Sequence, residues 1–223
     1  MYEAMLRELA ADYWAIAPDT PGFGLSDRLL EPVTIQGYAT AVYHALQSSN
    51  ITSCYLFGHH TGAAVAVQMA HDHPEFVSRL LLSGPPLLTT AQIATLQTTL
   101  PVTDLDENGR FLTDLWQRLH KKGPTLQLDL ILRETIAALQ CRDSYHEAYF
   151  AVFAQDLGGQ LAALRCPVLL LAGEQDSLIA SLEPAAQLVR NGRLLRIPGA
   201  GTYLCDQQPR LVANLVREFL GEA

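Results

Sequence analysis

Short apolar runs alternate with longer amphipathic stretches along this chain, and each run ends in a turn rich in Gly, Pro or Asp. A fully buried strand reads as a continuous apolar run, whereas a surface helix shows apolar residues at spacings of three and four. The pattern predicts strands at residues 13–17, 54–57, 79–82, 167–172 and 193–197. Helices are expected where Ile35, Tyr38, Val42 and Leu46 follow Thr34 as a cap, over 63–70, and where Leu211, Leu215 and Phe219 follow Pro209. Such alternation builds a mostly parallel sheet with helices on both faces, an α/β architecture. It stops between Pro85 and Arg165, where about eighty residues carry helical patterns alone. The expected organisation is a core formed by 1–84 and 167–223, with 85–166 inserted as a helical cap.

Composition narrows the possible partners. Of the 223 residues 49% are hydrophobic and 17% charged, enough apolar matter for one sizeable core. A net charge of -8 repels phosphate backbones and anionic lipid surfaces, so neither nucleic acid nor membrane is expected as a partner. The apolar runs, of which 167–172 is among the longest, are too short to cross a bilayer. Residues 1–9 have helical amphipathic spacing, without the basic start and apolar run of a signal peptide. Cys54, Cys141, Cys166 and Cys205 are widely separated and form no Cys-x-x-Cys pair. Neither a disulfide framework nor a zinc site is indicated, and reduced thiols in a cytoplasmic protein are expected.

Ligands of parallel sheets bind outside the carboxyl ends of the strands. The informative turns are Asp19-Thr20-Pro21-Gly22-Phe23-Gly24-Leu25-Ser26, Gly58-His59-His60-Thr61-Gly62, Gly173-Glu174-Gln175-Asp176 and Pro198-Gly199-Ala200-Gly201-Thr202-Tyr203-Leu204. Together, and in this order, they resemble motifs of the α/β-hydrolase family, the second being its nucleophile elbow, Gly-x-Ser-x-Gly. The resemblance covers nearly the whole chain. It implies an α/β-hydrolase fold whose catalytic residues stand at the elbow, in the acid loop and in the histidine loop.

Two of those three positions depart from the family. His60 occupies the place of the Ser, Asp or Cys nucleophile, and Thr202 that of the general base; Asp176 alone keeps a family catalytic type. A hydroxyl deprotonated by an imidazole that a carboxylate orients cannot be assembled from these positions. The candidate catalytic residues are therefore His60 and Asp176, with a direct contact expected because an imidazole reaches further than a hydroxymethyl group. His59, Thr61 and Thr202 are candidates for the oxyanion and substrate pocket. Thr61 would offer a backbone N–H, and His59 is expected mainly to pack the elbow. The family also places three strands and a His-Gly loop ahead of a helix like 1–9, and one more strand between 13–17 and 54–57. Met1 is accordingly expected to be an internal methionine of a longer protein, the alternative being that the family's first strands were lost.

The implied activity is that of a cofactor-free hydrolase acting on a small, mostly apolar ester-like molecule held between sheet and cap, with neither cofactor nor metal. The alternative is a non-catalytic protein that retains the pocket as a ligand site. Other features have plainer readings. Asp104-Leu105-Asp106-Glu107-Asn108-Gly109 copies the first half of a calcium loop, but the twelfth position is Leu115, so a polar helix start is expected. Cys205 has no adjacent base and is expected to be inert. Tyr145, His146, Tyr149 and Phe150 could line a pocket or pack the insertion's core.

Overall fold

The computed structural model describes residues 1–30, 32–101, 104–123 and 126–221. In chain order the elements are α1 (Glu3–Leu9), α2 (Ile35–Ser48), β1 (Cys54–His59), α3 (Thr61–Asp72), β2 (Val77–Ser83), α4 (Thr90–Thr99), α5 (Arg110–Lys121), α6 (Leu128–Cys141), α7 (Asp143–Ala154), α8 (Leu157–Ala163), β3 (Val168–Gln175), α9 (Ile179–Leu188), β4 (Gly192–Gly201), α10 (Leu204–Gln207) and α11 (Pro209–Gly221). None of the described helices is long and apolar enough to cross a membrane.

The chain divides into two compact units. The first comprises Met1–Pro18, Ala39–Leu87 and Asp156–Ala223; the second comprises Asp19–Tyr38 and Leu88–Gln155. These bounds differ from the insertion limits of 85–166 expected from sequence. Helix α8 belongs to the first unit because it packs on α3 and α9. Residues 19–38 join the second because Arg28 pairs with Glu147 at 2.5 Å and Asp143 at 3.3 Å, and because Gly22 lies against Ser144.

The first unit holds a four-stranded, all-parallel sheet in the order β1-β2-β3-β4. Buried leucines fill β2 and β3, which lie inside the sheet and are covered on both faces. Met5 and Leu9 of α1, Leu81, Leu169, Leu171, Ile197, Leu204, Val212, Val216 and Phe219 form one continuous core cluster. Burying each such side chain contributes roughly 1.5–3 kcal/mol. Helix α3 packs on β1 and β2, and α9 on β3 and β4.

Four of the five strands expected from sequence are present, each extended by a few residues. The fifth is not: residues 13–17 form no strand. A strand needs a ladder partner for its backbone N–H and C=O groups, and β1 ends the sheet with β2 as its one neighbour. Trp14, 77% exposed, is left without the packing that a strand at this place would give it. No described strand stands between 13–17 and β1.

The second unit is helical. Among the described residues it holds no strand, and α4 to α7 lie within it in chain order. Thr34 accepts a hydrogen bond from the Gly37 N–H at 2.9 Å and caps α2, as its sequence position suggests. The calcium-loop-like segment is a helix start: Asp106 accepts from the N–H groups of Asn108 at 2.8 Å and Phe111 at 3.3 Å.

Candidate active site

Strand register brings the candidate residues of the first unit together. His59 pairs with Ser83, and Ser83 with Leu171, so the carboxyl ends of β1, β2 and β3 lie level. His60 follows β1, Gly84 follows β2, and Asp176 follows β3. This is the edge at which parallel sheets place their ligands.

Between β1 and α3 stands the single residue His60, at φ 49° and ψ -115°. For a non-glycine residue this conformation costs on the order of 1–3 kcal/mol and persists only where its surroundings enforce it. The enforcing contacts are local. The His60 N–H donates to the Ser83 carbonyl at 2.9 Å, and the His60 carbonyl accepts from Ala63 at 2.8 Å. Gly58 makes the sharp turn possible, since a Cβ there would lie 2.3 Å from the Gly62 carbonyl oxygen. Helix and strand could not approach this closely around any larger residue.

The His60 ring is directed at Asp176. Its Nε2 lies 3.0 Å from Oδ1 and 3.0 Å from Oδ2. A carboxylate can only accept, so Nε2 carries a proton, and in the neutral ring Nδ1 keeps the lone pair. Nδ1 makes no hydrogen bond among the described residues. The carboxylate is fixed in turn by the Leu178 N–H, 2.7 Å from Oδ1. Side-chain exposure is 19% for His60 and 1% for Asp176, so the imidazole is reachable while the carboxylate lies beneath it.

His59 is buried and stacks on His60, with ring centroids 4.0 Å apart and planes at 14°. Its Nδ1 lies 2.9 Å from the Ser83 hydroxyl. Packing the elbow is the role this geometry describes. Thr61 is half-buried and opens α3. Thr202 is 3% exposed, and its Oγ1 lies 3.5 Å from the Ser177 N–H. It therefore sits inside the fold beside the acid loop. Cys205 is buried, its thiol pushed up to about 12 by burial and by the neighbouring Asp206. Such surroundings favour the protonated thiol over the thiolate.

His59, His60 and Asp176 offer donor atoms within 4.8 Å of one another, the ligand types of a two-histidine, one-carboxylate metal site. Their arrangement is not that of a chelate. Imidazole lone pairs lie in the ring plane, and two nearly parallel rings 4.0 Å apart cannot both direct them at one ion. Ligation at roughly 2.0–2.1 Å would require the rings to turn and His59 to leave Ser83.

Sequence reading passed over three contributors. A Cβ on Gly84, at φ +55°, would stand 2.7 Å from His60 Cδ2 and 2.8 Å from Nε2, so the absence of a side chain makes room for the ring. Ser83 is an ordinary small residue in sequence, and only the strand register reveals it as the partner of His59. Tyr2 lies edge-on to Phe57, with centroids 6.0 Å apart, and its hydroxyl is 3.4 Å from the place of a Cβ on Gly62. Burial raises its pKa, keeping the phenol neutral.

A strand, a one-residue strained turn and a helix, with an acid held beneath the turn from a third strand, match a known family. Its model, described as alpha/beta hydrolase fold, aligns with residues 1–209. This chain belongs to the α/β-hydrolase fold family. The 2-hydroxymuconate semialdehyde hydrolase of Pseudomonas putida is 31% identical over 224 residues, covering 93% of this chain and 77% of that protein. The 2-(acetamidomethylene)succinate hydrolase of Mesorhizobium japonicum is 23% identical over 99% of this chain and 83% of its own length. A crystal structure of E-2-(acetamidomethylene)succinate hydrolase superposes with a TM-score of 0.78 at 19% identity, covering 99% of this chain and 86% of that one. At that identity the likeness is one of fold. Within this α/β-hydrolase fold chain the elbow is kept in backbone shape, while its side chain is an imidazole.

Proposed function

We propose that the chain is a cofactor-free hydrolase of small, mostly apolar ester-like molecules, working through a two-residue base formed by His60 and Asp176. The observation that carries this reading is the placement of His60 Nε2 at 3.0 Å from both Asp176 oxygens on a strained, partly exposed turn. Strain of this kind collects at functional sites, where the surroundings hold a side chain in a set direction. In the reaction, Nδ1 takes a proton from water and the resulting hydroxide adds to the acyl carbon. Asp176 stabilises the imidazolium formed. The tetrahedral intermediate then expels the leaving group, which receives the proton back from Nδ1. The backbone N–H of Thr61, at the start of α3, is the proposed donor to the developing oxyanion.

The burial of Thr202 at the place of the family's base supports a second reading, a pocket that binds a ligand without turnover. One experiment separates the two. Nitrophenyl acetate and butyrate, together with the two small unsaturated acids named for the hydrolases above, are offered to the wild type, His60→Ala and Asp176→Asn. Turnover that falls roughly 10²–10⁴-fold in both variants supports the hydrolase. Equal rates in wild type and His60→Ala would overturn it. Retention of a panel member without product would select the binding reading.

A further inference from the structure

The helical second unit contains another residue in the backbone conformation of the elbow. Arg142, between α6 and α7, has φ 45° and ψ -118°, against 49° and -115° at His60. Asn50 is the one other described non-glycine residue with positive φ. The conformation at Arg142 ends one helix at Cys141 and begins the next at Asp143 with no intervening loop. As at His60, the result is a side chain displayed from a sharp turn.

What Arg142 borders is a cavity of about 140 Å³. Its wall is mostly apolar, with Pro101, Phe111, Leu115 and Leu139 among the lining residues alongside Tyr145 and Arg142. This volume is close to that of the roughly 150 Å³ engineered cavity that admits benzene. Arg28 and Arg118 of the same unit are engaged, by Glu147 and Asp143 and by the Thr99 carbonyl. The Arg142 guanidinium makes no hydrogen bond or ion pair among the described residues. A chamber of single-ring size with one uncommitted cation in its wall is complementary to a ring carrying one negative charge.

We propose that the cavity between α5, α6 and the Arg142 turn is a second ligand site, taking a small aromatic monocarboxylate with its ring inside and its carboxylate on Arg142. Benzoate is the probe and benzyl alcohol its uncharged counterpart, titrated calorimetrically into the full chain. Arg142→Gly removes the cation while suiting the positive φ, so the fold is retained. Benzoate should bind this variant roughly tenfold or more weakly, with benzyl alcohol unaffected. Ala138→Phe, which fills the chamber, should abolish binding of both, and Leu112→Trp at the rim serves if that variant does not fold. His60→Ala should bind benzoate like the wild type. The proposal is overturned if the wild type does not bind benzoate, if Arg142→Gly binds it equally well, if a filled cavity leaves binding intact, or if binding is lost in His60→Ala.

Discussion

His60 Nε2 is equidistant, at 3.0 Å, from the two oxygens of Asp176, across 116 positions of chain. Neither residue is near the other in sequence or on a shared element; β1 and β3 are separated by β2 in the sheet. The contact exists because the elbow turns the imidazole across the carboxyl end of β2, over Gly84, toward the acid loop. A tautomer follows from it, with the proton on Nε2 and the lone pair on Nδ1. Asp176→Asn should abolish that preference, because an amide serves either tautomer. Nitrogen chemical shifts of the His60 ring are expected to show the Nε2–H form in the wild type and a mixture in the variant. An unchanged tautomer would mean that the carboxylate does not set the ring's state.

Gly84→Ala should separate the pair without touching either member. The new methyl group would lie 2.7 Å from His60 Cδ2 at a residue held at φ +55°, so both crowding and backbone strain oppose it. The expected cost is on the order of 1–3 kcal/mol. For a chain of this size each kcal/mol lowers the melting temperature by roughly 2–4 °C. Urea denaturation with stability within about 0.5 kcal/mol of the wild type would show that the ring yields at little cost.

Ser83→Ala tests the layer beneath. Its hydroxyl meets His59 Nδ1 at 2.9 Å in a fully buried place, so its removal leaves a buried ring nitrogen without that partner. A loss of about 1–3 kcal/mol is expected in chemical denaturation. If activity falls as well, the stacked His59 transmits the change to His60; if stability alone falls, the two rings are independent.

The fold was legible because parallel strands buried on both faces announce themselves as apolar runs. Residues 167–172 could hardly be anything else, and β3 covers nearly the same span. The run at 13–17 has the same local character but no partner, and pairing is a property of the sheet that no local pattern contains. His60 and Asp176 were legible as motif positions. Gly84 and Ser83 were not, since their importance lies in facing the elbow from the adjacent strand, and register is invisible in a single sequence. The grouping of residues 19–38 with the helical unit was not legible, because the Arg28–Glu147 pair joins segments 119 positions apart.

Tyr149 gives the second unit a pH signature. Burial alone would raise its pKa, but Lys122, Arg118 and the hydrogen bonds from Arg118 and Tyr145 prevail and lower it to about 8. A phenol depressed in the folded state adds stability that is fully present above its unfolded value near 10 and is lost as pH falls through about 8. Tyrosinate absorbance should therefore develop near pH 8 in the wild type and not in Tyr149→Phe, and wild-type stability should gain on the variant from pH 8 to 10. A first phenol titrating only above 10 would show that the two cations do not outweigh burial.

The last expectation concerns restoring the family's nucleophile. His60→Ser puts a hydroxyl on the strained turn, and a hydroxyl attacks an ester only with a base within about 2.6–3.2 Å. Thr202 stands where the family's histidine would, buried beside Ser177, and has no proton-accepting nitrogen. His59 is committed to Ser83 through Nδ1. Asp176 would lose its imidazole partner and remain as a buried carboxylate. The variant should therefore hydrolyse nitrophenyl acetate no faster than His60→Ala, and intact mass spectrometry should find no acylated hydroxyl at this position. Accumulation of an acyl adduct there would reveal a second base within reach of the elbow, with His59 the first residue to substitute, and would remove the reason for assigning the proton transfer to His60.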